Sequence, residues 1–499
     1  MHHPSFTAFP QRILLAALTL AITGCAQIPS LEQFVTPKSI QNYETTRAFS
    51  ATDSHWPDES WWQAYDDPQL NALIDEALRD APNLLAASAR LRRAEALGQI
   101  AGAPLLPQLS ANGSATEQRQ SSNYLTPKAM TPEGWQDYGR ATLDFSWELD
   151  FWGKNRAALA AATSEVEASR AEFAQTRLSL AAAIATDYME LARLFAAHDT
   201  AARSVDIRSK TATLFAERFA NGLETKGSLR EAEARRASAE GERLQIEEQI
   251  GLQRYRLAAL LGAGPDRGLA IERPAINLKR SIGLPGELAA DLLGRRPDIV
   301  AARLRTEAQL KRIDQKKAEF YPNVNLAGFI GLQSLGLNLL TKDGSTTGSF
   351  GPAISLPIFT GGRLSGELRS TTASYDEAVA NYNQTIAQAL QQVANATLSQ
   401  KSLGGRLAKS EETVAAATEA YRIASNRYEG RLSSYLEVLS AEDVMLNSQR
   451  TLTDLQSRAF TLDVALTHAL GGGYRPTQAS ATTDLTASES DRGLLNTTN

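Results

Sequence analysis

The sequence predicts an α+β membrane protein with an internal structural duplication, in which each chain lends four β-strands to a transmembrane β-barrel and runs from them into long α-helices. Three observations lead to this fold class. The two halves of the chain carry the same parts in the same order; two stretches of more than a hundred residues lack proline; and segments beside them alternate apolar and polar residues with a period of two.

Composition narrows the function. The chain has 499 residues of which 43% are hydrophobic, enough to build a large core, and its net charge of −5 offers no basic stripe for nucleic acid, so no nucleic-acid partner is expected. One cysteine rules out a disulfide framework and any CxxC zinc site. Beyond the leader the histidines are His55, His198 and His468, far apart and without HExxH spacing, and neither a GxxxxGK[ST] loop nor a GxSxG elbow occurs. No catalytic residue, metal or cofactor is therefore expected, and the glycines Gly471-Gly472-Gly473 read as a helix C-cap.

Residues 1–24 read as a signal peptide: Arg12 precedes an apolar run from Ile13 to Ile22 that is too short to span a bilayer, which takes about 20 residues. Ile22-Thr23-Gly24-Cys25 resembles the bacterial lipobox, which implies acylation of Cys25, palmitate included, and Ala26 after it implies sorting to the outer membrane. Residues 25–82 then form a lipidated N-terminal extension with an equatorial segment.

The duplication fixes the rest. Ala81-Pro82-Asn83-Leu84 matches Arg296-Pro297-Asp298-Ile299 and Leu106-Pro107 matches Tyr321-Pro322 at an offset of 215, while later pairs such as Arg218-Phe219 with Arg427-Tyr428 match at 208 to 209. The offset changes if the connection around 119–137 is longer than its partner around 336–348, as suits a loop. The first repeat, 83–283, comprises a helix, strands at about 107–118 and 139–151, and a helical hairpin at about 154–262. The second, 284–474, comprises a helix, strands at about 322–334 and 349–359, and a hairpin at about 363–471, followed by a flexible polar tail at 475–499. Residues 155–220 lack both glycine and proline, so nothing in them breaks a helix, and Phe173, Leu180, Ile184, Tyr188, Leu191 and Phe195 supply an apolar stripe.

In 141–151 the odd positions Ala141, Leu143, Phe145, Trp147, Leu149 and Phe151 are apolar, while Thr142, Asp144, Ser146, Glu148 and Asp150 are polar. A strand polar on its second face, of a length that crosses a bilayer and with aromatics near one end (Trp147, Phe151, Trp152), suits a membrane barrel better than a soluble sandwich. Val324, Leu326, Ile330 and Leu332 repeat the alternation, as do Phe350, Ile354, Leu356 and Ile358; the strand from Pro107 is weaker, with Leu109, Ala111 and Ala115 on its apolar side. Four strands cannot close a barrel, and an open sheet edge is not tolerated in lipid, so several chains must pool their strands. A barrel that continues into a cylinder of helices is a conduit.

The residues resemble the outer-membrane efflux factors of the TolC and OprM type, in particular their NodT-like lipoprotein branch. The marks are Trp61-Trp62, Asp67-Pro68-Gln69-Leu70, Asp291-Leu292-Leu293, Arg295-Arg296-Pro297-Asp298-Ile299, Phe320-Tyr321-Pro322, Leu356-Pro357-Ile358-Phe359 with Gly361-Gly362-Arg363, and Ala469-Leu470-Gly471-Gly472-Gly473. The resemblance implies a homotrimer with a twelve-stranded barrel and a periplasmic α-helical barrel, docked to a periplasmic adaptor and an inner-membrane RND pump for export of toxic small molecules. It also places adaptor docking at the two hairpin tips, at Arg218, Phe219, Gly222 and Leu223 and at Arg427, Tyr428, Gly430, Leu432, Ser433, Tyr435 and Leu436. Glycine is expected at both reversals because it takes positive φ at little cost, although Gly430 stands one residue earlier than in most relatives, ahead of Arg431. Glu217, Glu224, Glu419 and Glu429 are candidates for a charged constriction, set against solvated helix faces. A type I protein-secretion channel and a structural coiled-coil lipoprotein are the alternative readings.

Overall fold

The computed structural model describes residues 28–29, 35–45, 56–121, 123, 128–275, 292, 294–430 and 432–476. The expected signal peptide, Cys25, Arg431 and nearly all of the polar tail lie outside the described residues. Helices and strands follow in the order α1 (Pro68–Asp80), α2 (Pro82–Gly102), β1 (Gln108–Gln118), β2 (Gln136–Glu148), α3 (Lys154–Ala220), α4 (Lys226–Leu261), α5 (Pro265–Leu269), α6 (Pro297–Ala318), β3 (Asn323–Leu335), β4 (Thr346–Ser355), α7 (Arg363–Glu429) and α8 (Tyr435–Ala469). The chain divides into two compact units, one of residues up to 37 with 91–168 and 302–382, the other of 38–90, 169–301 and 383 onward.

The first unit is built around one antiparallel sheet of order β1-β2-β3-β4. Register sets Leu109 opposite Phe145, Ala111 opposite Leu143, Leu143 opposite Ile330, and Val324 opposite Ile354, so the apolar side chains of all four strands share one face. Phe145 and Phe350 meet across β3 with ring centroids 6.2 Å apart. Leu109, Leu143, Ile330, Phe350 and Ile354 are exposed, the reverse of a soluble sheet, which buries that face. On the other face Asn112 Nδ2 and Thr142 Oγ1 both donate to Asp144 Oδ2 at 2.8 Å. Among the described residues β1 pairs only with β2 and β4 only with β3, which leaves both outer edges open.

Two strands differ from the sequence reading at both ends. β2 spans Gln136–Glu148 rather than 139–151, because Asp150 serves the next helix instead of the ladder. Its carboxylate accepts from Asn155 N at 3.1 Å and Arg156 N at 2.9 Å and so caps the first turn of α3. β4 spans Thr346–Ser355 rather than 349–359, because Pro357 cannot donate to a ladder. Phe359 is left fully outside the sheet. Trp152 stacks on Tyr321 at 4.7 Å, and the indole N–H groups of Trp147 and Trp152 donate to Leu105 O and Pro322 O.

In the second unit the stripe on α3 finds its partners. Leu180, Ile184, Tyr188 and Leu191 pack with Trp61, Trp62 and Tyr65, with Leu70, Leu73 and Ile74 of α1, with Leu257 and Leu261 of α4, and with Phe460 and Val464 of α8. Asp67 locks this core. Buried, it caps α1 through Gln69 N and Leu70 N and accepts from Tyr188 Oη at 2.9 Å and Ala275 N at 3.1 Å. Four donors to one carboxylate offset its desolvation. Gly471, Gly472 and Gly473 do more than cap α8. All three have positive φ, and a Cβ would meet Arg295 O at 2.0 Å from Gly471 and the Asp58 carbonyl carbon at 2.2 Å from Gly473. The backbone there runs against its neighbours too closely for any side chain.

Candidate functional site at the helix turns

Helix α3 reverses into α4 through residues 221–225, and α7 into α8 through 430–434; both turns belong to the second unit. The first is closed by Gly222, at φ +71°, with Leu223 N bonded to Arg218 O at 2.9 Å. At the second turn Gly430 does not take positive φ. Its N–H bonds Asn426 O at 3.0 Å, so it extends the helical pattern by one residue, and Leu432 N then closes on Arg427 O. The expectation that both turns need a left-handed glycine is thus corrected for the second.

The expected tip residues fall into two groups. Arg218, Tyr428 and Tyr435 turn inward. Tyr428 is 8% exposed and, with Phe215 and Val438, forms a small core in which Phe215 and Tyr435 rings lie 4.0 Å apart. The Arg218 guanidinium sits 4.8 Å above the Tyr428 ring, and Tyr428 Oη donates to Glu224 Oε1 at 3.1 Å. Burial and that bond raise the Tyr428 pKa, and burial raises that of Tyr435. The turn's own aromatic core takes up both tyrosines. Phe219, Leu223, Leu432 and Leu436 point outward, the last three at 60%, 74% and 71% exposure. Ser433 is half-buried, while exposed Arg427 reaches Leu432 O and lies 4.0 Å from Glu437.

The four acids stand in different surroundings within one chain. Glu224 is engaged by Tyr428; Glu419 is held by Arg422 at 2.6 Å, which keeps its carboxyl below the usual range; Glu217 and Glu429 are exposed. A different cluster lies further up. Arg208 of α3 donates to Glu442 Oε1 and Asp443 Oδ1 of α8, each at 3.1 Å, and Arg235 of α4 donates to Asp443 Oδ2 at 3.0 Å. Glu442 is 1% exposed, and burial raises its pKa although Arg208 opposes it. This network joins the two hairpins. Its sequence signal was a carboxylate in an apolar slot: Val438, Leu439, Met445 and Leu446 are buried at helical spacing around Glu442.

The described residues offer apolar side chains at two turns, a charged tie between hairpins and a sheet with an exposed apolar face. The model of the outer membrane efflux protein family matches residues 73–263 and 288–472. The multidrug resistance outer membrane protein MdtP of Escherichia coli K12 is 31% identical over 477 residues, which cover 93% of this chain and 97% of MdtP. The fusaric acid resistance protein FusA of Burkholderia cepacia is 31% identical over 371 residues, 72% of this chain and 69% of FusA. The crystal structure of the outer membrane protein VceC of Vibrio cholerae superimposes with a TM-score of 0.80 at 49% identity, covering 84% of this chain and all of VceC. Sequence model, relatives and fold agree, and the chain belongs to the outer membrane efflux protein family.

Proposed function

We propose that the chain is the outer-membrane exit duct of a tripartite efflux pump, carrying drugs and other toxic small molecules past the outer membrane with a periplasmic adaptor and an inner-membrane RND transporter. The observation that carries this reading is the sheet of β1 to β4. Its apolar face is outward, its second face is polar, and its two outer edges are open, which in lipid is stable only when other chains complete a closed barrel. Three chains would pool twelve strands, and their four long helices each, arising from a duplicated sequence, would continue as a periplasmic helical tunnel. The relatives' names, multidrug resistance and fusaric acid resistance, support an efflux cargo.

In this reading Phe219, Leu223, Leu432 and Leu436 form the adaptor-docking surface, and Arg218, Tyr428 and Tyr435 hold the turns in shape behind it. Gly222 sets the first reversal; Gly430, Arg427 and Ser433 frame the second. Acylation of Cys25 would anchor the mature chain in the outer membrane. The test is complementation. A strain lacking its own copy regains growth on toxic aromatic compounds with the wild-type chain and fails to regain it with Leu223→Asp/Leu432→Asp, although that variant still reaches the outer membrane. Equal resistance from this variant would remove the docking assignment, and unchanged susceptibility with the wild-type chain would remove the efflux role. Labelled palmitate is expected in wild type and lost in Cys25→Ala.

A further inference from the structure

A crevice of about 490 Å³ opens between α3, α4, α7 and α8 of the second unit, a volume within the range of about 300–1,000 Å³ typical of small-molecule sites. It exists because of side-chain size. Ala182, Ala396 and Val464 form its buried floor, and Ala183 and Ala465 leave the space above them unfilled.

Its direction follows from helix geometry. On α3 the large residues Leu180, Ile184 and Tyr188 pack into the core made with Trp61, Tyr65 and α1. At 100° per residue, Ser179, Ala183 and Thr186 turn away from those three residues, while Ala182 belongs to the same core and closes the crevice from below, so the crevice opens away from the α1 layer. Where α1 is an outer collar on a duct, that side is the inner wall.

The chemistry of the wall is polar without net charge. Ser179, Thr186, Gln392 and Asn395 stand at its exposed rim and offer hydroxyl and amide groups, the Gln392 carbonyl oxygen accepting from Arg296 Nη1 at 2.9 Å and its NH2 remaining as a donor. The one carboxylate, Asp187, is buried and accepts from Arg256 Nε at 2.8 Å, which balances its charge. The His468 ring lies with Nε2 3.3 Å from Ser179 Oγ, and burial together with nearby Arg296 holds its pKa below the ordinary value, so it is neutral at pH 7. An apolar floor under a neutral hydrogen-bonding rim matches a flat ring that carries hydroxyl or amide substituents.

We propose that this crevice is a transit site for uncharged aromatic molecules bearing hydroxyl or amide groups, with the ring on Ala182, Ala396 and Val464 and the substituents on Gln392, Asn395 and Thr186. Its place on the inner wall rests on the duct reading; binding as such does not. Such a site would give the duct a cargo preference of its own, in addition to that of the transporter.

The test is equilibrium dialysis of radiolabelled chloramphenicol, an uncharged aromatic amide diol, against the full-length protein in detergent, with detergent alone as the blank. The expected result is saturable binding at one site per chain. Ala465→Phe, whose added ring enters the open crevice, weakens it at least tenfold, and Thr186→Val/Asn395→Ala weakens it severalfold, with thermal melting unchanged in both. Should Ala465→Phe fail to fold, the exposed Thr186/Asn395 pair decides alone. Absence of saturable binding to the wild-type chain, or an affinity that the folded variants leave within twofold, overturns the proposal. Planar-bilayer conductance of the same wild-type preparation is read separately: its absence would count against the duct and against an inner-wall position, while variant-sensitive binding would still establish the site.

Discussion

At single positions the strongest constraints are steric and electrostatic. Gly473 combines φ +80° with a would-be Cβ contact on the Asp58 backbone, so Gly473→Ala should cost about 3 kcal/mol and lower the melting temperature by several degrees in thermal unfolding. Glu442 carries a pH prediction. Its native pKa is raised above the unfolded value near 4.5, so in the window above 4.5 the native state holds a proton that the unfolded chain has released. Its contribution to stability therefore falls as pH rises through that window. Denaturant unfolding of wild type and Glu442→Gln from pH 4.5 to 7 should show the wild type losing stability relative to the variant, and a constant difference would refute the assignment. Residue by residue, some of this was legible in the sequence and some was not. The alternation Leu143, Phe145, Trp147 named the apolar face of β2, because a period of two needs no tertiary information. The role of Asp150 was hidden, since a carboxylate at a strand end and one at a helix cap look alike in sequence. Tyr428 and Tyr435 read as surface contacts because nothing local shows that Phe215, more than two hundred residues earlier, packs on them.

At the level of elements, sheet and hairpins make different predictions. On the outward face of β2, Leu143→Arg should oppose insertion by about 2–4 kcal/mol at mid-bilayer, seen as loss of the heat-modifiable species after folding into vesicles. Ser110→Arg, which stands across from Asp144 on the polar face, should insert normally. Arg208→Ala removes the partner of buried Glu442 and one arm on Asp443, which should cost about 3 kcal/mol and raise the rate of proteolysis at residues 221–225 and 430–434. An unchanged cleavage rate would mean that the tie does not hold the turns together. The hairpins themselves were readable from absence: no proline interrupts any of their four helices, and residues 155–220 lack glycine as well, so nothing there ends a helix, although α4 and α7 run through glycines. Their lateral partners were not readable: the apolar stripe on α3 fits either a coiled-coil mate or the Trp61–Tyr65 turn with α1, and only the folded chain chooses.

For the molecule as a whole the proposed trimer is the central expectation. Detergent-solubilised particles imaged by negative stain should show threefold rotational symmetry, whereas unsymmetric particles would leave a lipid-anchored coiled coil as the better account. The open outer edges of β1 and β4 carry a genetic consequence. A copy whose edge can no longer accept a neighbour is not merely idle, because it still offers its intact edge and occupies a place in the ring. In an assembly of three, equal expression of such a copy beside the normal one leaves only about one-eighth of the assemblies free of it. Defects in these two strands should thus behave as dominant in a merodiploid, while defects confined to the proposed acylation site Cys25, which leave the edges sound, should be recessive.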